Sequence, residues 1–432
     1  MAILIYNSPR GTYDYYGENI KYIDFIDQSS RELFKIYNYL EIITPHFEHT
    51  EVFSRGIGEN SDIVKKEMFT FEDKKNRSLT LRPEGTASVV RAVVERKLYG
   101  ENLPLKFFYI GSMFRYERPQ KGRMREFKQI GVEAIGSDNP AVDAEVIWLI
   151  NNLFKNLGFK NLVLYINSIG CLECRKDYTI LLEDYLNPKA AGLCADCTNR
   201  IGKNTLRVFD CKVQECQKIL KEAPKISAHL CEKCKNHLED VFGILNILDI
   251  KYVHNENLVR GFDYYTKTIF EIISRDIDSA QNALGGGGRY DNLIKEFGGP
   301  KLSSIGFAIG LERTMLLMQD IGISLPENKK DSLSAYIINM SYEFNGYLFE
   351  ILRFLRQNKI ICDSNFNIKN IGTEIKWAKE QGYSHILIIG EDEVKNSTIT
   401  IKDLNNYNQI QLDWLSEKVK LLNLFREPTG RK

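Results

Sequence analysis

Residues 105–118, LKFFYIGSMFRYER, and 125–136, REFKQIGVEAIG, are two runs rich in aromatic and β-branched residues with only a short loop, Pro119 to Arg123, between them. Runs of this composition read as strands, and a connection this short leaves a hairpin as the arrangement available to them. Between Arg115 and Lys128 the hairpin carries six basic side chains, Arg115, Arg118, Lys121, Arg123, Arg125 and Lys128, against two acids, Glu117 and Glu126. The whole chain has a formal net charge of only +1, so it projects no broad field toward a polyanion, and local patches have to do that work. Strand alternation sends Arg115 and Glu117 to one side, and places Arg123 and Arg125 on a shared face if the second strand has begun there. Several guanidinium forks around one pocket suit a ligand with several phosphates. On charge alone, a solvated basic hairpin on a surface sheet is the plainer reading.

At 432 residues the chain is too long for one ordinary core, which implies two to four domains. A composition 43% hydrophobic and 27% charged describes a globular protein. No apolar run approaches the roughly 20 residues that span a bilayer. The start, MAILIYNSPRGTYDYYG, lacks a basic leader and meets an early Pro-Arg-Gly, so it does not read as a signal peptide, and the expected compartment is the cytoplasm. Residues 20–40 repeat apolar side chains (Ile23, Ile26, Leu33, Phe34, Tyr37) at helical spacing. SLTLRPEGTASVVRAVV reads as a strand ending near Arg82 followed by a helix from about Thr86, and Asp138-Asn139-Pro140 opens a helix that stops at Gly158. A block rich in Lys, Glu and Cys then interrupts the pattern as an inserted, mostly helical module. LPENKKDS, 325–332, is a linker, and strand and helix alternate beyond it in a small α/β domain.

Three later stretches carry chemistry. LVRGFDYYT places Arg260 among aromatic residues, where a poorly hydrated guanidinium needs an anionic partner; pairing with Asp263 is one alternative. GGGGRYD, 285–291, lets backbone approach something closely, yet it fits neither the phosphate-loop nor the dinucleotide pattern. GFAIGLERT ends in Glu312 and Arg313 at a helix start, where a surface ion pair is the plainer reading.

Together these motifs resemble the histidyl-tRNA synthetases, which are class II aminoacyl-tRNA synthetases. F-R-x-E, the basic loop, R-E-F-x-Q, R-G-x-D-Y-Y-T, G-G-G-R-Y-D and GFAIGLER carry the resemblance, which extends from PRGTYDYYGENIKY to ILIIGEDEV. It implies an α+β catalytic domain, an antiparallel six-stranded class II sheet flanked by helices, over 1–167 and 241–325. It further implies a Cys-rich helical insertion at 168–240 and an α/β anticodon-binding domain at 331–425. The implied activity is ATP-dependent ligation of L-histidine to tRNA(His) through histidyl-adenylate, with Mg²⁺ on the β/γ-phosphates. Pro45 matches the proline of the family's dimer-forming motif, which implies a homodimer.

The same resemblance assigns roles. Arg115 holds the α-phosphate, Phe127 stacks on adenine, Glu117 and Arg123 contact the nucleotide and its β/γ-phosphates, and Arg313 lies along the triphosphate from the other side. Glu84, Gly85 and Thr86, with Gln129, take the α-amino end of histidine. Glu133 and Tyr264 bond the imidazole nitrogens, Tyr265 lines the pocket, and Arg260 bridges the histidine carboxylate and the α-phosphate. Arg115, Arg260 and Arg313 are thus the catalytic cations, and Arg118 and Lys121 are the candidate tRNA contacts. In the last domain Lys369, Lys376 and Lys379 are placed to meet phosphates. Readings from other classes are the regulatory subunit of ATP phosphoribosyltransferase, which keeps the core without charging tRNA, a prolyl- or threonyl-type synthetase, and a zinc-dependent nucleic-acid module.

Eight of the nine cysteines lie between Cys171 and Cys234, spaced Cys171-x2-Cys174, Cys194-x2-Cys197, Cys211-x4-Cys216 and Cys231-x2-Cys234. Eight thiolates suffice for two tetrahedral structural zinc sites. Spacing does not give the pairing, and reduced, partly buried thiols are the alternative. The resemblance places this module over the acceptor arm of tRNA.

Overall fold

The computed structural model describes residues 6–58, 61, 63–100, 102–276, 282–326, 333–367 and 370–425. Residues 1–5, most of the linker at 325–332 and Lys369 lie outside these. The chain divides into two units, Met1–Leu325 and Pro326–Lys432.

Eleven strands are described in the first unit: β1 (Leu40–Glu41), β2 (Phe47–His49), β3 (Thr70–Glu72), β4 (Ser78–Leu81), β5 (Leu105–Phe114), β6 (Glu126–Ile135), β7 (Leu162–Ser168), β8 (Tyr252–His254), β9 (Thr266–Ser274), β10 (Ala283–Arg289) and β11 (Ser304–Gly310). Eight form one sheet in the order β1-β5-β6-β11-β10-β9-β7-β8. The six central strands are all antiparallel. The short β1 and β8 add parallel edges, so the expected six-stranded antiparallel core is present within a sheet of eight. A separate three-stranded sheet runs β2-β4-β3.

One face of the large sheet is covered by helices Glu18–Ile36 and Pro140–Asn156. The first buries Tyr22, Ile23, Ile26, Leu33 and Phe34, the stripe its spacing predicts. The second starts where expected: the Asn139 side chain accepts from the Ala141 amide, and Pro140 occupies the first turn, where no donor is needed. A buried ion cluster fixes this helix to the sheet. The fully buried Arg289 guanidinium donates to Asp143 from its Nε at 3.0 Å and also from its Nη2, and Asp143 meets His237 at 2.7 Å. His237 lies on helix Glu232–Ile247, which runs through residue 240. One continuous helix thereby crosses the expected boundary at residue 240, with Val241 and Leu245 packed in the large apolar cluster.

The hairpin differs from the expected alternation. β5 ends at Phe114 and β6 begins at Glu126, although the Arg115 amide still donates to the Arg125 carbonyl at 2.9 Å. The Glu117 amide then bonds back to the Arg115 carbonyl at 2.8 Å, which turns the chain off the ladder. A bend, not strand alternation, therefore carries Arg115 and Glu117 into one cavity. Arg125 does not share a face with Arg123; its guanidinium lies 4.0 Å from the centre of the Tyr116 ring.

The second unit is a five-stranded sheet, β12 (Ser334–Asn339), β13 (Ile361–Ser364), β14 (His385–Ile389), β15 (Thr398–Asp403) and β16 (Gln409–Asp413), in the order β13-β12-β14-β15-β16. Helices Asn345–Gln357 and Ile371–Glu380 pack on it around two apolar clusters of its own. No helix among the described residues is long and apolar enough to cross a membrane.

Candidate active site

A cavity of about 480 Å³ opens beyond the end of β5, along β6 and over β9 to β11. That is within the range of small-molecule sites. Its floor owes its shape to glycines. A Cβ at Gly306 would lie 2.0 Å from a Glu133 carboxylate oxygen, and one at Gly286 would lie 3.0 Å from an Arg260 terminal nitrogen and 2.5 Å from the Phe270 carbonyl oxygen. The glycine run in β10 is thus sheet backbone, paired on both sides, left bare so that functional side chains from neighbouring segments can lie across it.

Arg115, Arg260 and Arg313 all line this cavity, although 145 residues of chain separate the first two by number. The Arg115 Nε–H donates to the Pro83 carbonyl at 2.9 Å, and its guanidinium lies 5.3 Å from the centre of the Phe127 ring. Glu117 faces both Arg115 at 3.7 Å and Arg123 at 3.4 Å. Arg260 donates from Nη1 to Glu271 at 2.8 Å, and not to Asp263, whose carboxylate accepts instead from Asn204 at 2.8 Å. Burial works against the Arg260 charge, but Tyr265, Glu271 and Asp210 more than compensate and raise its pKa. Arg313 is pushed the other way, first by burial and then by repulsion from Arg123. Two cations held side by side on a cavity wall are arranged for a multiply charged anion.

The acids of the cavity divide by environment. Glu84 is buried and accepts from the Thr86 and Ala87 amides at 2.7 and 2.8 Å, so it caps helix Thr86–Glu95. Burial raises its pKa, and those two amide bonds partly offset the rise. Glu133 is 1% exposed. It accepts from the Thr86 hydroxyl at 2.7 Å and from the Tyr290 hydroxyl, and burial carries its pKa up to about 8. Glu312 accepts from the Lys128 amide through both oxygens, at 3.0 and 2.9 Å, with burial raising its pKa to about 6; it makes no surface pair with Arg313. Tyr264 and Tyr265 are buried with ring centres 4.7 Å apart, and Tyr264 meets Tyr290 edge-on at 5.7 Å. The Gln129 side-chain oxygen and the Arg260 Nε are buried with no hydrogen-bond partner among the described residues. Buried polar atoms are rarely left so, and both belong to cavity-lining residues.

Of the residues singled out from sequence, Glu84, Thr86, Arg115, Glu117, Arg123, Phe127, Gln129, Glu133, Arg260, Tyr264, Tyr265 and Arg313 line this one cavity. Gly85 lies behind it, at the start of the Thr86 helix, where a Cβ would meet the Tyr109 ring at 2.3 Å. Lys121 is outside the cavity and paired with Asp320 at 2.7 Å, and Arg118 is on the exposed part of the same loop. Sequence reasoning missed Tyr290, Glu271 and Arg207, all cavity-lining. Tyr290 stood in the GGGGRYD stretch without a role. Glu271 is an acid in the apolar run TIFEII, a signal that was available. Arg207 comes from the inserted module, and nothing local in the sequence connects it to residues 260–265.

Residues 11–314 match the family model for histidyl-tRNA synthetase, and residues 334–422 match the anticodon binding domain. A histidine–tRNA ligase of Halothermothrix orenii is 47% identical over 94% of this chain and 96% of its own length. The chain belongs to the histidyl-tRNA synthetase family. The histidine–tRNA ligase of Clostridioides difficile is 44% identical over 96% of this chain and 99% of its own. The apo crystal structure of the Staphylococcus aureus histidyl-tRNA synthetase superimposes with a TM-score of 0.80 at 36% identity, over 98% of this chain and 100% of that one. A Bacillus halodurans chain described as an ATP phosphoribosyltransferase regulatory subunit/histidyl-tRNA synthetase shares the fold at 20% identity and a TM-score of 0.63. Family membership and these full-length relatives do not favour the regulatory reading.

Proposed function

We propose that this chain ligates L-histidine to tRNA(His) in the cytoplasm, activating the amino acid with ATP through histidyl-adenylate. The observation that carries the proposal is the convergence of Arg115, Arg260 and Arg313 on one cavity that also holds Glu133 and Tyr264. The histidine carboxylate attacks the α-phosphorus, and pyrophosphate leaves. Both reactants are anionic and charge grows on the phosphoryl oxygens, so fixed cations at that point lower the barrier. Arg260 sits between carboxylate and α-phosphate, Arg115 on the α-phosphate, and Arg123 and Arg313 along the β/γ-phosphates, with adenine against Phe127. The cavity carboxylates Glu271 and Glu312 would offer the hard oxygen ligands that Mg²⁺ takes alongside phosphates, and the ion would supply charge neutralisation for the β/γ-phosphates. A ribose hydroxyl of the tRNA terminus then attacks the adenylate, releasing AMP.

Glu133 and Tyr264 read the imidazole nitrogens, and the unpartnered Gln129 oxygen accepts from the α-ammonium group beside Glu84 and Thr86. Buried polar groups that expect ring nitrogens reject side chains lacking them. Catalytic work belongs to residues 1–167 and 241–325, the insertion to 168–240, and anticodon binding to 331–425. Arg118 and Lys121 meet tRNA, and Lys376 and Lys379 meet it in the second unit. A homodimer forms around the Pro45 segment; Ile36, Leu40, Ile43 and Phe47, which flank it, are all exposed, Ile43 at 84%.

The test is amino-acid-dependent exchange of pyrophosphate into ATP. Histidine supports exchange, and Arg260→Ala lowers it by about 10²- to 10³-fold. Exchange with a different amino acid and none with histidine sinks the proposal.

A further inference from the structure

We propose that the eight cysteines at 171–234 form two separate tetrathiolate zinc sites, one closing the neck of the insertion and the other holding the segment that supports the Arg260 loop. Cys171, Cys174, Cys231 and Cys234 form one cluster, and Cys194, Cys197, Cys211 and Cys216 the other; within each, the four sulfurs lie within 4.8 Å of one another. The pairing left open by spacing is therefore nested, with one cluster wholly inside the loop that the other closes. Four thiolates at about 2.3 Å from a tetrahedral ion stand about 3.8 Å apart. Cys171 and Cys174 are 3.5 Å apart, and Cys194 and Cys211 are 3.8 Å apart. Both separations are far beyond the roughly 2.0 Å of a disulfide.

The surroundings suit thiolates. The Cys231 amide donates to the Cys174 sulfur at 3.1 Å, and the Cys194 amide donates to the Cys216 sulfur at 3.2 Å. Such N–H bonds orient metal-bound sulfur and stabilise its charge. Cys174, Cys197, Cys211, Cys216 and Cys234 are buried, where free thiols would pack as small apolar groups with no reason to gather in fours. Each thiol gives its proton to solvent as it binds the ion.

The inner cluster encloses residues 198–210. From these, Arg207 donates to the Gly261 carbonyl at 3.0 Å and Asn204 to the Asp263 carboxylate at 2.8 Å. From the neck cluster, Arg175 follows Cys174 directly and donates to the carbonyls of Asp263 at 3.1 Å and Tyr265 at 2.8 Å. The loop 260–265 is thus held by Arg175, next to a ligand of the neck cluster, and by Asn204 and Arg207, from the segment that the inner cluster encloses. Arg207, Asn204 and Arg175 are positioning residues. What the loop does rests on the proposed function; the metal sites do not.

Elemental analysis of the full-length chain, purified under reducing conditions without added metal or chelator, should find two zinc ions per chain. Cys197→Ser and Cys234→Ser should each keep one, and Cys362→Ser should keep both. Because a ligand variant can fail to fold, the native chain provides a second arm. A thiol reagent should modify Cys362 alone, and titration with a mercurial should then bind the other eight sulfurs while releasing two zinc ions to a chromogenic dye. No zinc with nine thiols reacting at once, a visible iron chromophore, or a single zinc per chain overturns the assignment. Arg207→Gln should keep both ions while raising the histidine KM severalfold with little change in kcat. Two ions with an unchanged KM removes the bracing role.

Discussion

Glu133 carries a proton that a carboxyl in water would have lost. Its pKa is raised from 4.5 to about 8, chiefly by burial, so the folded chain holds this proton more tightly than the unfolded chain does. Its contribution to stability is therefore fully present below about pH 4.5 and is lost as pH rises through about 8. The loss amounts to at most about 5 kcal/mol. The ligand-free protein should melt lower at about pH 9 than at about pH 6, and Glu133→Gln should flatten that slope; equal slopes in the two proteins would argue against the shift. Arg115 makes a second point about single residues. Its Nε–H is taken by the Pro83 carbonyl, so the remaining fork nitrogens are aimed at the cavity. Lysine keeps the charge but cannot serve both partners. Arg115→Lys should lower the exchange rate about 10²-fold at saturating ATP; a loss expressed only in the KM for ATP would mean that the residue binds substrate without favouring the transition state.

At the scale of elements, the sheet explains both what the sequence made legible and what it hid. Helix starts at Asn139 and Thr86 and the two hairpin strands were readable, because caps and apolar spacing are local signals. The sharp bend at Arg115 was not, since it depends on one backbone bond to residue 117, and alternation was the wrong rule for it. The glycines of β10 read only as a place where backbone approaches something closely, because what forbids their side chains lies across the sheet. Gly306 shows the constraint: a methyl group there meets Glu133 at 2.0 Å and the Val132 carbonyl at 2.4 Å. Gly306→Ala should cost about 1–3 kcal/mol and also abolish histidine binding by displacing Glu133, measurable by denaturant unfolding and by calorimetry with histidine. Most of the site was legible as a set of motifs, yet none of those motifs by itself said that residues 115, 260 and 313 meet. Only the resemblance linked them before the topology did, and it was silent on Arg207, which reaches the cavity from an insertion whose composition resembles nothing around it.

For the whole molecule, each unit has its own core: the clusters built around Phe34, Tyr109 and Phe53 in the first, and those around Ile337 and Tyr336 in the second. Units with separate cores fold independently as a rule. A chain ending at Leu325 should therefore stay folded and keep histidine-dependent pyrophosphate exchange, while aminoacylation of tRNA(His) falls by at least about ten-fold, because the remote contacts of the second unit are gone. Loss of both activities together would mean that the first unit is not self-sufficient. The mutual repulsion of Arg123 and Arg313 has its own outcome after bond cleavage. A by-product with four negative charges relieves that repulsion as well as the substrate did, so it departs reluctantly. Pyrophosphate should inhibit competitively against ATP far below the concentration at which orthophosphate does, and sustained forward flux then depends on a hydrolase that clears it.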